Sequence, residues 1–318
     1  MPALRTVAIG AALAAAVGAA GLTTAGVVER AATRPAVSPG PRAEGATTVV
    51  GLPYAGVDRS YRLFVPSRLP AGPRPLLLAL HSLAKSAGWF EAARHLDLEA
   101  ARIGALVAYP DGIGHSWDAG TCCGVAARTD VDDVGFLAAV ISDVESRVPI
   151  DRRRLAIVGS SNGAMMAYRF ACERSDLVHV IVSMSGTDVA PVCALAQPVS
   201  LLHVHGAADD TVPYAGVASS GLDTSGFPPV RAVVADFARR DGCSGEFDDR
   251  PYAGRDDVSV ATATGCPGRT AVRLVVSRTL GHTWPTAALG STYGVDMTAM
   301  TWRFVEAQWS RPHRAAAP

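Results

Sequence analysis

The stretch Gly159-Ser160-Ser161-Asn162-Gly163 decides the fold, because of what stands on either side of it. The apolar run Leu155–Val158 before it is typical of a buried strand, and Ala164–Phe170 after it is typical of a helix. In a turn of the type Gly-x-Ser-x-Gly, glycines leave room for a strained backbone, so that the serine oxygen projects from the end of a strand. Ser161 is therefore the candidate nucleophile. The alternative is a plain turn of small residues between a strand and a helix.

The chain from residue 46 onward alternates short apolar runs with helix-like segments. This alternation predicts one doubly wound α/β domain with a mostly parallel sheet. We expect strands at residues 61–65, 76–80, 105–109, 155–158, 179–184, 199–205 and 271–277, and helices at 86–103, 134–148, 164–170, 230–240 and 295–309.

An acidic residue and a histidine follow the serine turn in the order that a catalytic triad on this kind of sheet requires. Asp209 comes after the strand expected at 199–205, and His282 lies in the loop after the last expected strand. Catalytic groups in open α/β sheets gather at the carboxyl ends of the strands. We expect His282 to take the proton of Ser161 and Asp209 to hold the imidazole, with Asp210 as the alternative acid after a one-residue slip.

The oxyanion of such a reaction is held by backbone N–H groups after the nucleophile and after an earlier strand. Asn162 and Leu83 occupy those two positions. Trp117 and Trp284 are candidates for lining a substrate cleft, with plain packing as the alternative.

No metal is expected in this chain. His203 and His205 stand two apart on an expected strand and would point to one face, but no third ligand has a matching spacing.

The charges of the chain are balanced, with 29 basic and 29 acidic residues. A balanced charge gives no field that favours nucleic acid or an anionic membrane. The partner expected for the protein is an ester substrate, and a monomer is expected.

The first 45 residues do not resemble part of the domain. Arg5 is followed by an uncharged run to residue 28, rich in Ala, Gly, Val and Leu, and then by a Pro-rich stretch. This pattern predicts a signal peptide at residues 1–27, a linker at 28–45 and a catalytic domain at 46–318. Export without stable membrane insertion is favoured, and an uncleaved membrane anchor is the alternative.

The six cysteines form an even set in a chain that we expect to be exported, which favours three disulfides over a zinc site. Cys243 and Cys266 bracket a polar segment and are expected to pair. The other four, Cys122, Cys123, Cys172 and Cys193, are expected to be joined among themselves in an order that the sequence leaves open.

Seven blocks of sequence, in order from about residue 46 to 310, resemble the poly(3-hydroxybutyrate) depolymerase and feruloyl esterase-like family of secreted α/β-hydrolases. The blocks are residues 61–66, 109–112, 117–124, 132–136, 159–166, 205–214 and 281–285. The resemblance implies an α/β-hydrolase fold, a triad of Ser161, Asp209 and His282, a bond between Cys243 and Cys266, and no metal or organic cofactor. The chain departs from the family's pattern at Ser82, which replaces a glycine usual in this loop, at Asp118, where asparagine is usual, and at Asp210, where proline is common.

These features together predict a secreted serine esterase that cleaves carboxylic esters through an acyl-enzyme. Oligomers of hydroxybutyrate, feruloyl or acetyl esters and small soluble esters all fit. Acyl transfer, peptide cleavage and a binding protein on an inactive hydrolase scaffold are the alternatives.

Overall fold

The carboxyl ends of parallel strands meet at one edge of a single sheet. The computed structural model describes residues 43–219, 221–222, 226–287 and 293–310, and the signal peptide and most of the linker predicted above lie outside them. The strands of the described part are β1 (Gly45–Gly51), β2 (Ser60–Pro66), β3 (Arg74–Leu80), β4 (Leu106–Pro110), β5 (Ile150–Ser160), β6 (Val180–Met184), β7 (Ser200–Gly206), β8 (Phe247–Tyr252), β9 (Arg255–Ala263) and β10 (Val272–Ser277). The helices described are α1 (Ala87–Arg94), α2 (Leu96–Ile103), α3 (Gly124–Arg128), α4 (Asp133–Arg147), α5 (Asn162–Arg174), α6 (Val230–Arg240) and α7 (Met297–Trp309).

The sheet has the strand order β1-β2-β4-β3-β5-β6-β7-β10-β9-β8. Strands β4, β3, β5, β6, β7 and β10 run parallel, and the strands outside them pair antiparallel. The parallel strands are continuous apolar runs because helices cover both of their faces. The described part is thus one compact α/β-hydrolase domain.

The two faces of the sheet carry separate apolar cores, because side chains alternate along each strand. Leu76, Leu78 and Leu80 of β3 pack on the face that helices α4, α5 and α6 cover. Leu77 and Ala79 pack on the opposite face, together with apolar residues of α1, α2 and α7.

The register of the parallel strands aligns their ends. Leu80 pairs with Gly159, Ser160 with Met184, Met184 with Val204 and Gly206 with Ser277. The segments that follow β3, β5, β7 and β10 therefore start side by side.

The predicted helix over residues 86–103 is wrong as a single element. His95 adopts a left-handed conformation with φ 51°, which ends α1 and begins α2. Strands β1, β8 and β9 were not predicted. β1 and β8 are the two edge strands, β1 has no continuous apolar run, and β8 and β9 are rich in charged residues.

Three disulfides join the described cysteines in the pairs Cys122–Cys123, Cys172–Cys193 and Cys243–Cys266. Their side chains are therefore cross-links and not thiolate ligands. Within the described residues, no helix is long and apolar enough to cross a bilayer.

Candidate active site

Ser161 stands on a strained turn between β5 and α5. Its backbone has φ 55° and ψ −123°, a region that residues with a side chain rarely adopt. A Cβ atom at Gly159 would lie 2.2 Å from the carbonyl oxygen of Gly163, and one at Gly163 would lie 2.4 Å from that of Leu80. Both flanking positions must therefore be glycine, and the Ser161 N–H is held by the carbonyl of Met184 at 2.8 Å.

Ser161, His282 and Asp209 form a continuous hydrogen-bonded chain. The Oγ atom of Ser161 lies 2.9 Å from Nε2 of His282. Nδ1 of the same ring lies 2.8 Å and 3.0 Å from the two carboxylate oxygens of Asp209. With Nδ1 protonated and bonded to the carboxylate, Nε2 is free to accept a proton from the serine.

The carboxylate of Asp209 is buried, and its loop holds it in one orientation. Oδ1 accepts hydrogen bonds from the backbone N–H groups of Thr211 and Val212 at 3.0 Å and 2.9 Å. Burial raises the pKa of Asp209, but the hydrogen bond and charge of His282 and the Val212 N–H lower it by more, so that it lies below its usual value. The neighbouring Asp210 is exposed and contacts the hydroxyl of Thr211.

A chain of buried hydrogen bonds supports the Asp209 loop from below. Nε2 of His205 lies 2.8 Å from the carbonyl of Val212, Nδ1 of His205 lies 3.0 Å from Nε2 of His203, and Nδ1 of His203 lies 2.7 Å from the hydroxyl of Tyr168. One assignment of protons satisfies all three contacts: Tyr168 donates to His203, His203 to His205, and His205 to the carbonyl.

Burial lowers the pKa of both His203 and His205, so both rings are neutral. The sequence placed this pair on one face of a strand, and the structure shows that its ring nitrogens bond to Tyr168, to each other and to Val212.

The loop after β3 carries Leu83 and is ordered by the buried side chain of His81. Nε2 of His81 accepts the Gly112 N–H at 2.9 Å, so Nδ1 carries the proton and donates it to the carbonyl of Ser82 at 2.9 Å. Ser82 and Leu83 both avoid the left-handed region. The serine at position 82 therefore fits this loop without backbone strain.

Asn162 has a structural contact that the sequence did not reveal. As the first residue of α5, its backbone N–H has no partner inside the helix. Its side chain accepts the Trp117 N–H at 2.7 Å and donates to the Trp117 carbonyl at 2.9 Å. The nucleophile turn is thereby tied to the segment before the Cys122–Cys123 disulfide.

The expectation that Trp117 and Trp284 line a cleft is corrected by their burial. Trp117 is fully buried, and its Nε1 donates to the carbonyl of His81. Trp284 is 1% exposed and packs edge-on against Phe90. Both rings pack inside the protein against residues next to the site, which is the packing role that the sequence left open.

A pair of buried charges also lies behind the site. Asp132 is the N-cap of α4, and Asp133 lies in the first turn of this helix. The side chain of Asp133 is bonded to Arg59 at 2.6 Å and to the Asp118 N–H at 2.8 Å. The sequence alone does not show which of the two adjacent aspartates caps the helix and which forms the ion pair with Arg59.

Similar proteins of known class place the chain among esterases. No family model matches it. The chain is 31% identical over 263 residues to "Putative esterase NocK" of Nocardia uniformis subsp. tsuyamanensis, a match that spans 77% of this chain and 76% of that protein. It is 29% identical over 184 residues to "Feruloyl esterase B" of Piromyces equi, where the match spans 54% of this chain and only 33% of that longer protein.

Solved structures agree with the fold. An acetyl xylan esterase from Aspergillus awamori superposes with a TM-score of 0.60 at 16% identity, and the match covers 82% of this chain and all of the other.

Proposed function

The chain belongs to the α/β-hydrolase esterase family and is a carboxylic ester hydrolase, and from this premise we propose that it works as a serine esterase through Ser161, His282 and Asp209. The observation that supports the proposal most strongly is the hydrogen-bonded chain from the Ser161 hydroxyl through His282 to the buried Asp209 carboxylate. This arrangement provides a nucleophile, a base and a group that holds the base.

The proposed reaction begins with attack of the Ser161 oxygen on the ester carbonyl carbon while Nε2 of His282 takes the hydroxyl proton. The tetrahedral intermediate collapses as Nε2–H returns that proton to the leaving alcohol, which leaves an acyl group on the serine. A water molecule, deprotonated by the same nitrogen, then attacks the acyl-enzyme and releases the acid. Asp209 accepts the Nδ1–H bond throughout and stabilises the imidazolium.

The backbone N–H groups of Asn162 and Leu83 are the proposed oxyanion donors. Asn162 begins a helix, where its N–H has no partner inside the helix and the helix dipole favours negative charge. Leu83 stands in the loop after β3, the strand that pairs with β5. Each such donor is worth about 10²- to 10³-fold in rate.

The proposed substrates are feruloyl or acetyl esters, oligomers of hydroxybutyrate, or similar small esters. The names of similar proteins, which include feruloyl and acetylxylan esterases, support the first two. We also propose that residues 1–27 direct export and that 28–45 link them to a monomeric catalytic domain. The three disulfides support export, because such bonds persist in oxidising compartments.

The proposal is tested by comparing Ser161→Ala with Ser160→Ala in the full chain. We expect Ser161→Ala to lower kcat for p-nitrophenyl butyrate by at least about 10⁴-fold, because the nucleophile is lost. Ser160→Ala is the matched control, since Ser160 is equally buried on the same turn, and should retain activity within about tenfold. A fluorophosphonate probe should label the wild type and not Ser161→Ala. Equal rates for wild type and Ser161→Ala would contradict the proposal.

A further inference from the structure

Helix α1 follows the loop that carries the proposed oxyanion donor and contacts the loop that carries the proposed base. Its N-cap is Ser86, in the loop that follows β3. In the middle of the helix, Phe90 packs edge-on against Trp284 with 5.6 Å between ring centroids.

Two cations flank one exposed aromatic ring on this helix. Trp89 is 39% exposed, which is unusual for a tryptophan on a helix that packs on the sheet. The Lys85 ammonium lies 4.8 Å from the centre of this ring, and the Arg94 guanidinium lies 4.6 Å from it. Both distances are within the range of cation–π attraction.

Neither cation forms an ion pair with a described residue. Burial lowers the pKa of Arg94 to about 10. Nε of Arg94 is buried and has no hydrogen-bond acceptor among the described residues. Most other arginines of the described region do pair with carboxylates, as Arg62 does with Glu91 and Arg231 with Asp249. A half-buried guanidinium without an anion is costly unless a ligand supplies one.

Both cations adjoin segments of the proposed site, Lys85 along the chain and Arg94 through a ring contact. Lys85 is two residues from Leu83, and two residues span at most about 7 Å. The Arg94 guanidinium lies 5.3 Å from the ring of Trp284, which is itself two residues from His282.

We propose that Lys85, Trp89 and Arg94 form a subsite that binds a free carboxylate on the ester substrate, with an apolar or ring portion of that substrate lying on the exposed tryptophan. This inference rests on the proposed function and narrows its substrate class. Open-chain oligomers of hydroxy acids end in such a carboxylate, whereas acetyl and feruloyl esters of neutral sugars do not. The subsite thus separates substrates that the triad alone treats alike.

The test measures kcat/KM for paired esters that differ in one carboxylate. Mono-p-nitrophenyl glutarate against p-nitrophenyl butyrate places the charge on the acyl side, and 4-acetoxybenzoate against phenyl acetate places it on the alcohol side. For each pair the charged-to-neutral ratio is compared between variants, so that differences in intrinsic reactivity cancel. A preference in either pair supports the subsite and assigns its side.

We expect Arg94→Met to lower the ratio about tenfold, because it removes a half-buried cation and keeps an apolar side chain over the rings. Lys85→Met should lower it about threefold, as expected for an exposed charge, and Lys85→Glu should lower it further. The control is Arg153→Met, at an exposed arginine near the start of β5, about 23 Å along the strand from Ser160. If Arg94→Met does not fold, the two Lys85 variants carry the test.

The two proposals fail in different ways. Hydrolysis of the neutral ester, and its loss in Ser161→Ala, reports on the proposed function. A ratio that stays unchanged in every variant while the neutral ester is hydrolysed would overturn the subsite alone. Calorimetric binding of 4-acetoxybenzoate to Ser161→Ala gives the same comparison without catalysis. The subsite would also be overturned if Ser161→Ala bound 4-acetoxybenzoate with the same affinity with and without the further substitutions Lys85→Glu and Arg94→Met.

Discussion

Asp209 and Asp210 are adjacent aspartates on one loop with opposite environments. The spacing from the strand end favours Asp209 as the acid, with Asp210 as the alternative. In the structure the carboxylate of Asp209 is buried against His282 and fixed by two backbone N–H groups, whereas that of Asp210 is exposed. The choice depends on how the loop turns after β7, which strand spacing alone does not determine.

Substitution of each aspartate by alanine tests this assignment. We expect Asp209→Ala to lower kcat about 10³- to 10⁴-fold, because His282 loses the group that holds its tautomer and stabilises its charge. Asp210→Ala should change kcat by less than about threefold. The measurement is steady-state hydrolysis of p-nitrophenyl butyrate. A larger loss in Asp210→Ala than in Asp209→Ala would show that the acid has been misassigned.

Other residues show where sequence reasoning stops. The tight turn at Ser161 could be predicted, because two glycines and a serine stand between an apolar strand and a helix. Trp117 and Trp284 could not be placed, because a tryptophan near a site has the same sequence signal whether its ring is exposed or buried. Their indole N–H groups bond to the His81 carbonyl and the Thr298 hydroxyl, partners that are distant in sequence.

At the level of elements, the central parallel strands were predicted and the edge strands were not. A strand covered on both faces is a continuous apolar run, which is visible in sequence. β8 is the edge strand and is mostly exposed, and β9 beside it begins with the charged residues Arg255, Asp256 and Asp257, so both resemble polar loops in sequence. The break between α1 and α2 was also invisible, since both helices have continuous apolar spacing and the break lies at a histidine.

The break at His95 can be tested by its backbone conformation. A left-handed conformation costs about 1–2 kcal/mol for a residue with a side chain, histidine included, and little for glycine. A β-branched side chain is more crowded there, so we expect His95→Val to lower the free energy of unfolding by up to about 1 kcal/mol and His95→Gly to leave it unchanged or raise it by up to about 1 kcal/mol. Urea titrations followed by tryptophan fluorescence provide the measurement. If valine were tolerated as well as glycine, α1 and α2 would be one continuous helix.

For the whole molecule, the buried polar groups beneath the site make folding and site geometry depend on the same contacts. Tyr168 lies on α5, His203 and His205 on β7, and Val212 on the loop that holds Asp209. These three hydrogen bonds form together only when both histidine rings are neutral. The sequence showed two histidines on one face of a strand, but their partner on a helix 35 residues away could be identified only from the fold.

These buried hydrogen bonds should make the free energy of unfolding fall at acid pH. Burial, and then the neighbouring His205, lower the pKa of His203 well below its usual value. The unfolded chain therefore binds a proton below about pH 6.5 that the folded state does not bind, so stability is full above that pH and falls as the pH drops. A single such group removes up to about 1.4 kcal/mol per pH unit.

His203→Gln tests this linkage, because its amide can still donate to Nδ1 of His205 but does not titrate. We expect it to be less stable than the wild type at pH 8 by about 1–3 kcal/mol, since the Tyr168 hydroxyl contact is disturbed. Between pH 6.5 and 5, however, its free energy of unfolding should fall less steeply than that of the wild type. Urea unfolding at four pH values measures both slopes, and His115→Gln, at an exposed histidine, controls for loss of a surface imidazole. Parallel slopes for wild type and His203→Gln would mean that this buried chain does not set the acid limit.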